Sequence, residues 1–371
     1  MKGLHSEGSG VAMKRYKVLM HQAAWEKAQV LLASLKGGTA HPGRYLGDLL
    51  KGYELARLTT EELIELLVAT KRPQIFAESA VVGDGSDWNL SELSLLGDIA
   101  IAVSVTVFDD GRHRHPVVHS KPFKANLIYV PGALLRNGPG RTPADWDEVT
   151  AEGKIDSMAY AGLYERRLLP ALLYANYRAQ IRGSKAFVTL PGLGCGQFAG
   201  RFSGELGEEL KTTIAGILER HLEELPHIRA VYFDPYNECS NERVEIGPLS
   251  FLVRPLTQGN EGKSQLCLPV RYEEAGYDFS DCDLFSLVAW DHVSWPGNDF
   301  YIGFRATDDG VKAAATDSMA AMTGIKGAYD HFANIYDPPE AYGNWKEVVQ
   351  SGGLGIKVRG NLVVCPSVNN S

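Results

Sequence analysis

The chain lacks any uncharged apolar run approaching the ~18 residues that cross a bilayer. Its start, Met1 to Val11, is Gly/Ser-rich with His5 and Glu7, and lacks the apolar core of a signal peptide. The first twelve residues read as a disordered or extraneous leader and take no part in fold reasoning. Cysteine is sparse: Cys195, Cys239, Cys267, Cys282 and Cys365 are odd in number and widely spaced, with no CxxC pair. That excludes a disulfide scaffold and a zinc ribbon, and predicts free thiols in a reducing compartment. Positive charge is also short. Lys+Arg number 37 against 45 Asp+Glu, a net charge of −8, opposite in sign to a protein whose main partner is the nucleic-acid backbone. Neither a nucleic acid nor a membrane is an expected partner. Internal repeats and low-complexity tracts are missing as well.

What is present suffices for a full core: 371 residues, 44% hydrophobic and 22% charged. The first third reads as helical. Val18 to Leu35 has apolar residues at helical spacing and stops at Gly37-Gly38; Leu58 to Thr70 follows, with Thr59 or Thr60 as N-cap and Glu61 and Glu62 in its first turn. Gly83 to Asn89 is a loop. Ile99 to Phe108 is a β-branched strand, turned by Asp109-Asp110-Gly111, and Phe123 to Val130 returns. Ser157 to Arg182 is a long helix containing Pro170. Then come a strand at Ala186 to Leu190, a glycine loop, an amphipathic helix at Glu205 to Leu225 and a strand at Arg229 to Asp234. Strand, loop, helix, strand is a βαβ unit and implies parallel strands. Further strands are expected at Phe251 to Arg254, Leu266 to Arg271, Leu284 to Trp290 and Asn361 to Val364, and a helix at Asp309 to Met322. The fold class is α/β, with helices on both faces of a mixed sheet.

Residues 191–204 read PGLGCGQFAGRFSG. Glycines between a strand and a helix let backbone N–H groups converge on an anion, and the helix adds its positive end. Three readings stay open: a turn that only permits close packing, a dinucleotide fold through Gly194, Gly196 and Gly200, and a diphosphate loop with Phe198 offering its ring. In the dinucleotide reading Asp234 lies later than the expected ribose-binding acid. Cys195 is read as a small buried residue, since Leu193 stands where a nucleophile elbow needs its first glycine.

Residues 284–299 read LFSLVAWDHVSWPGND. The strand delivers Asp291 at its C-terminal end, where α/β proteins bind ligands, and Pro296-Gly297 can return Asn298 and Asp299 toward it. Paired carboxylates suit glycosidic hydrolysis; Asp residues also cap turns. Asp308 or Asp309 is a natural N-cap for the helix after it. His113, His115 and His119 follow a turn among arginines and read as an exposed hairpin tip rather than metal ligands; His292 is either a partner of Asp291 or an ordinary histidine.

The segment LGCGQFAG at 193–200 resembles the diphosphate loop of macrodomains, and AWDHVSWPGNDFYIGFRATDDGVKAAATDSM at 289–319 resembles the arginine-specific macrodomain effectors of the MavL type. The resemblance implies a macrodomain-like three-layer α/β/α fold over 91–371 behind a helical N-terminal extension at 1–90. It implies a metal-independent hydrolase, without cofactor, that releases ADP-ribose from arginine of a modified protein, ubiquitin included. It makes Asp291, Asp299 and Asp309 the functional carboxylates, and Gly194, Cys195, Gly196, Gln197, Phe198 and Asn298 the ADP-ribose contacts. The GGG…QEE signature of poly-ADP-ribose glycohydrolases is missing, which argues against O-linked polymers as substrate. A non-catalytic ADP-ribose reader is the alternative, and a nicotinamide oxidoreductase the third. The expected location is the cytosol, that of a host if the chain is a delivered effector.

Overall fold

The computed structural model describes residues 15–77, 86–138 and 140–365; the leader and the first three residues of the Gly83–Asn89 loop lie outside them. The chain runs β1 (Tyr16–His21), α1 (Gln22–Lys36), α2 (Arg44–Leu50), α3 (Thr60–Ala69), α4 (Leu90–Gly97), β2 (Ile99–Asp109), β3 (Val118–Pro131), α5 (Ser157–Arg182) and β4 (Lys185–Pro191). It continues through α6 (Leu206–Arg220), β5 (Ile228–Asp234), β6 (Glu242–Ile246), β7 (Leu249–Val253), β8 (Cys282–Trp290), α7 (Asp308–Ala314), α8 (Ser318–Thr323), α9 (Trp345–Ser351) and β9 (Leu362–Cys365). Nine strands form one mixed sheet in the order β9-β1-β2-β3-β8-β4-β5-β7-β6. Its centre, β3-β8-β4-β5-β7, is parallel throughout.

Alternation along each strand divides the core in two. Val18, Met20, Ile99, Ile101, Leu127 and Val288 face one side, where α1, α3, α4, α7, α8 and α9 pack. Leu19, Ala100, Ala102, Ile128, Phe285 and Leu287 face the other, covered by α5 and α6. The result is the three-layer α/β/α arrangement with a mixed sheet. Among the described residues, no helix is long and apolar enough to cross a membrane.

Four local expectations are corrected. Val18 to Leu35 is not one helix: Tyr16–His21 is a strand paired with β2 and β9, and α1 begins only after His21, whose Nδ1 accepts the Ala23 amide at 3.1 Å. A short apolar run does not by itself separate strand from helix. Leu266 to Arg271 is no strand but a turn into a 3-10 segment, Pro269–Tyr272; Pro269 has no N–H to give a ladder, and the Tyr272 hydroxyl ties Cys267 N at 3.3 Å and Ser264 O at 2.5 Å. Asp309 to Met322 is two short helices. Between them Asp317 accepts the Thr106 amide at 2.5 Å and pins the chain to β2. The helix expected over Glu205 to Leu225 is α6 followed by a short 3-10 turn at Leu222–Glu224.

Candidate functional site

The loops leaving the C-terminal ends of β3, β4 and β8 meet above the parallel strands. Gly132 donates its N–H to Trp290 O at 3.3 Å, and a Cβ on Gly132 would strike Gly194 N and stand 2.7 Å from Gly194 Cα. Only glycine permits that approach, and Gly194 itself sits at φ +76°. The Tyr164 hydroxyl, from α5, donates to Leu193 O at 2.5 Å and accepts Ala133 N at 3.0 Å, binding the two loops together.

The glycine loop takes a tight course. Gln197–Phe202 is a 3-10 turn, and the Leu135 amide donates to Phe198 O at 2.9 Å. A cavity of about 410 Å³ opens between Arg136, Gly196, Gln197, Gly200 and Ser203. Arg136 donates to Gln197 Oε1 at 2.5 Å, so a guanidinium stands at the rim. The amides of Gly196, Gln197 and Phe198 donate to no acceptor among the described residues. Free amides on a glycine loop beside a guanidinium are the elements an anion site is built from. At the start of α6, Glu238 accepts Gly207 N at 2.5 Å and so occupies one amide of that helix end. Cys195 is buried, and burial, with Glu238 and Cys239 nearby, pushes its thiol far above the ordinary value. Burial and the raised thiol both suit a structural cysteine rather than a nucleophile.

Asp291, Asp299 and Asp309 come together, all buried, and the charges of Asp291 and Asp299 both act on Asp309. Each also organises backbone. Asp291 Oδ1 accepts Val293 N at 2.7 Å and Ser294 N at 2.5 Å, and its Oδ2 accepts Asn298 Nδ2 at 3.3 Å. Asp299 Oδ2 accepts Ala306 N at 2.7 Å. Asn298 Oδ1 accepts Ile75 N at 2.9 Å, which commits both ends of its amide within the protein. The Phe198 ring centroid lies 6.4 Å from that of His292, the residue after Asp291, so the glycine loop and the aspartate loop adjoin.

Thr307 links two of the acids. It, not Asp308 or Asp309, is the N-cap of α7, its Oγ1 accepting Gly310 N at 3.1 Å. The same oxygen is hydrogen-bonded to Asp299 Oδ1 and lies 2.6 Å from Asp309 Oδ1. One hydroxyl proton cannot serve two ionised carboxylates. Burial raises the Asp309 carboxyl well above the ordinary value; the Thr307 bond opposes this, and the Asp291, Asp299 and Asp308 charges reinforce it. The Thr307 hydroxyl thus joins Asp299 to Asp309, whose carboxyl is shifted toward its neutral form and whose Oδ1 also accepts Gly310 N at 3.1 Å. The hydroxyls of Tyr129 and Tyr301 are buried within reach of the Asp309 charge, and that of Tyr301 has no hydrogen-bond partner among the described residues.

Beneath the loops lies an ion network that the sequence did not announce. Arg167 pairs with Asp145 at 2.7 Å and Asp98 at 3.2 Å, donates to Gly132 O at 2.9 Å, and is fully buried. Asp145 Oδ2 also accepts Leu134 N at 2.7 Å and faces His292 Nε2 at 3.1 Å. Burial would raise Asp145, but Arg167 and His292 outweigh it and hold the carboxyl far below the usual range. Lys71, Arg136, Asp145, Arg167, Thr307 and Tyr301 were all missed; only Thr307 carried a sequence signal, a hydroxyl residue three positions before Gly310 at a helix start. Asp234 spends its carboxylate on the Tyr236 and Leu256 amides, at 2.8 and 2.9 Å, rather than on a ribose. His113 and His115 are exposed at the tip between β2 and β3, and His119 Nε2 meets Leu266 O at 2.9 Å.

No curated protein matches the chain in sequence. The family model of the macrodomain effector MavL matches it over residues 16–342, a span holding the glycine loop, the three aspartates and most of the sheet. With so much of its length matched, the chain belongs to the macrodomain effector MavL family.

Proposed function

We propose that this chain hydrolyses the N-glycosidic bond between ADP-ribose and an arginine side chain of a modified protein, with ubiquitin as the first protein to try. The observation that carries the reading is the junction of a glycine loop bearing free amides with a buried cluster of three carboxylates, of which Asp309 is raised well above its ordinary value. In this reading the diphosphate lies against the amides of Gly194, Gly196, Gln197 and Phe198, beside Arg136, with Cys195 lending backbone only. The distal ribose reaches toward Asn298 and the acids. Cleavage breaks the bond from C1″ to the guanidine nitrogen while water oxygen bonds to C1″. The water's proton passes to a carboxylate, and the departing guanidine gains one, so that protonated arginine and ADP-ribose are the products. Negative charge at Asp291 and Asp299 offsets the positive charge developing at C1″. Neutral Asp309, coupled through Thr307, supplies a proton and recovers it.

One observation favours an ADP-ribose reader instead: Asp291 and Asp299 both accept backbone amides, as purely structural caps would. Incubation with arginine-ADP-ribosylated ubiquitin, following free ADP-ribose by mass spectrometry, separates the two. The hydrolase releases ADP-ribose, and Asp299→Ala stops release while calorimetric binding of ADP-ribose persists. A reader binds and releases nothing. The effector family supports action in a host cytosol.

A further inference from the structure

The segment after α3 is built into the aspartate loop. Arg72 N donates to Val293 O at 2.8 Å, and Trp295 N donates back to Arg72 O at 2.7 Å. Arg72 and Ser294 thus form a parallel β-bridge. Ile75 N donates to Asn298 Oδ1 at 2.9 Å. Upstream, Thr70 Oγ1 accepts the Trp88 indole N–H at 2.8 Å, which ties the segment to the body of the protein. Every residue from 291 to 298 that bonds this segment lies between Asp291 and Asp299 in sequence, so the segment sets the course of the chain between two of the acids.

Lys71 is the unusual member. It is 2% exposed, its Nζ donates to His292 O at 2.6 Å, and it stands 4.0 Å above the centroid of Trp290. The residues it grips are those on either side of Asp291, whose charge acts on it. A lysine is rarely buried unless paired. Burial lowers it to about 7, with Asp291 drawing it back up. A methionine of similar length would fill the space at less desolvation cost, so packing alone does not account for an ammonium here.

We propose that Lys71–Ile75 is a positioning element of the carboxylate centre, with Lys71 fixing the backbone on both sides of Asp291. This rests on the hydrolase reading for its kinetic consequence, but not for its structural one. The N-terminal helices then do more than cover the sheet: they deliver a strap that completes the site.

The test compares wild type with Lys71→Met and Lys71→Arg. Turnover on arginine-ADP-ribosylated ubiquitin should fall in Lys71→Met by about 10²-fold in kcat, the scale of a misplaced catalytic group. KM and the calorimetric affinity for ADP-ribose should stay within about threefold, since the glycine loop is untouched. Lys71→Arg, which keeps the charge and a donor, should recover part of kcat. Independently of turnover, amide exchange at Val293, Ser294 and Trp295 should quicken in Lys71→Met while Gly194 to Phe198 are unchanged. Unchanged kcat in Lys71→Met, or equal loss in Lys71→Met and Lys71→Arg, would overturn the proposal. If wild type releases no ADP-ribose, the hydrolase reading fails, and the exchange experiment alone decides the positioning role; unchanged exchange at 293–295 overturns it. Should Lys71→Met not fold, Lys71→Leu, which likewise removes the donor to His292 O, takes its place with the same expected outcomes.

Discussion

Asp309→Asn tests the proton arrangement at the acids. In the native protein Asp309 is buried at 3% exposure, and its carboxyl is raised well above the ordinary value by burial, against the Thr307 bond and with the Asp291, Asp299 and Asp308 charges. In the unfolded chain it ionises near 3.8, as a free aspartate does. Between that pH and its raised native value the folded state binds one more proton than the unfolded state. Stability then falls as pH rises, by about 1.4 kcal/mol for each pH unit in which the native carboxyl stays protonated. Asparagine has no such proton to take up, and its Nδ2 can donate to Thr307 Oγ1 as the neutral carboxyl does. The variant should therefore be at least as stable as wild type at pH 7, and its advantage should shrink toward pH 4.5. Urea denaturation of both proteins at several pH values measures the difference directly, since other titrating groups cancel in the comparison. Release of ADP-ribose should fall in the same variant. Equal pH slopes in the two proteins, or a loss of about 1–3 kcal/mol at every pH as expected for a broken bond to an ionised acid, would refute the neutral assignment.

Arg167→Met leaves Asp98 and Asp145 buried with a partner removed, and should cost about 3–5 kcal/mol in urea denaturation; a loss under about 1 kcal/mol would mean that Lys27, Arg166 and His292 carry the network alone. Gly132→Ala drives a methyl into Gly194 and should abolish ADP-ribose binding by calorimetry; wild-type affinity would place the ligand elsewhere. Cys195→Ser should keep turnover within about twofold, and iodoacetamide should leave Cys195 unmodified in the native protein, because the thiol is buried and not ionised. Rapid alkylation there would contradict its burial.

The parallel heart of the fold was legible because its signals are local. Ile228–Asp234 and Cys282–Trp290 are β-branched and aromatic runs bounded by turn residues, and Ser157–Arg182 is long enough to read as helix despite Pro170. β1 was not legible, since Val18-Leu19-Met20 is a short apolar run joined without a break to helix-forming residues, and its strand character comes from being flanked by β2 and β9. Asp291, Asp299 and Asp309 could be chosen because a strand end, a Pro-Gly turn and a helix start mark their positions. Lys71 and Arg167 could not. Their partners lie 221 residues away at His292 and 69 and 22 residues away at Asp98 and Asp145, and no spacing rule reaches across such separations.

The double duty of the aspartates follows from where they sit. A loop that leaves the end of a buried parallel strand has amides with no ladder to join, and each must find an acceptor. Asp291 answers Val293 and Ser294, and Asp299 answers Ala306. The same bonds fix the direction of each carboxylate, so capping the loop and aiming the acid are one arrangement seen from two sides. Asp309 differs because the hydroxyl before it is already shared with Asp299 and because three other carboxylates repel its charge. Two acids fixed by backbone amides thus stand beside a third, Asp309, whose carboxyl burial and its acidic neighbours raise well above the ordinary value, an arrangement that suits proton transfer. Capping by Asp291 and Asp299 is what a reader needs and is also compatible with a hydrolase, so turnover in Asp299→Ala is the measurement that separates the two.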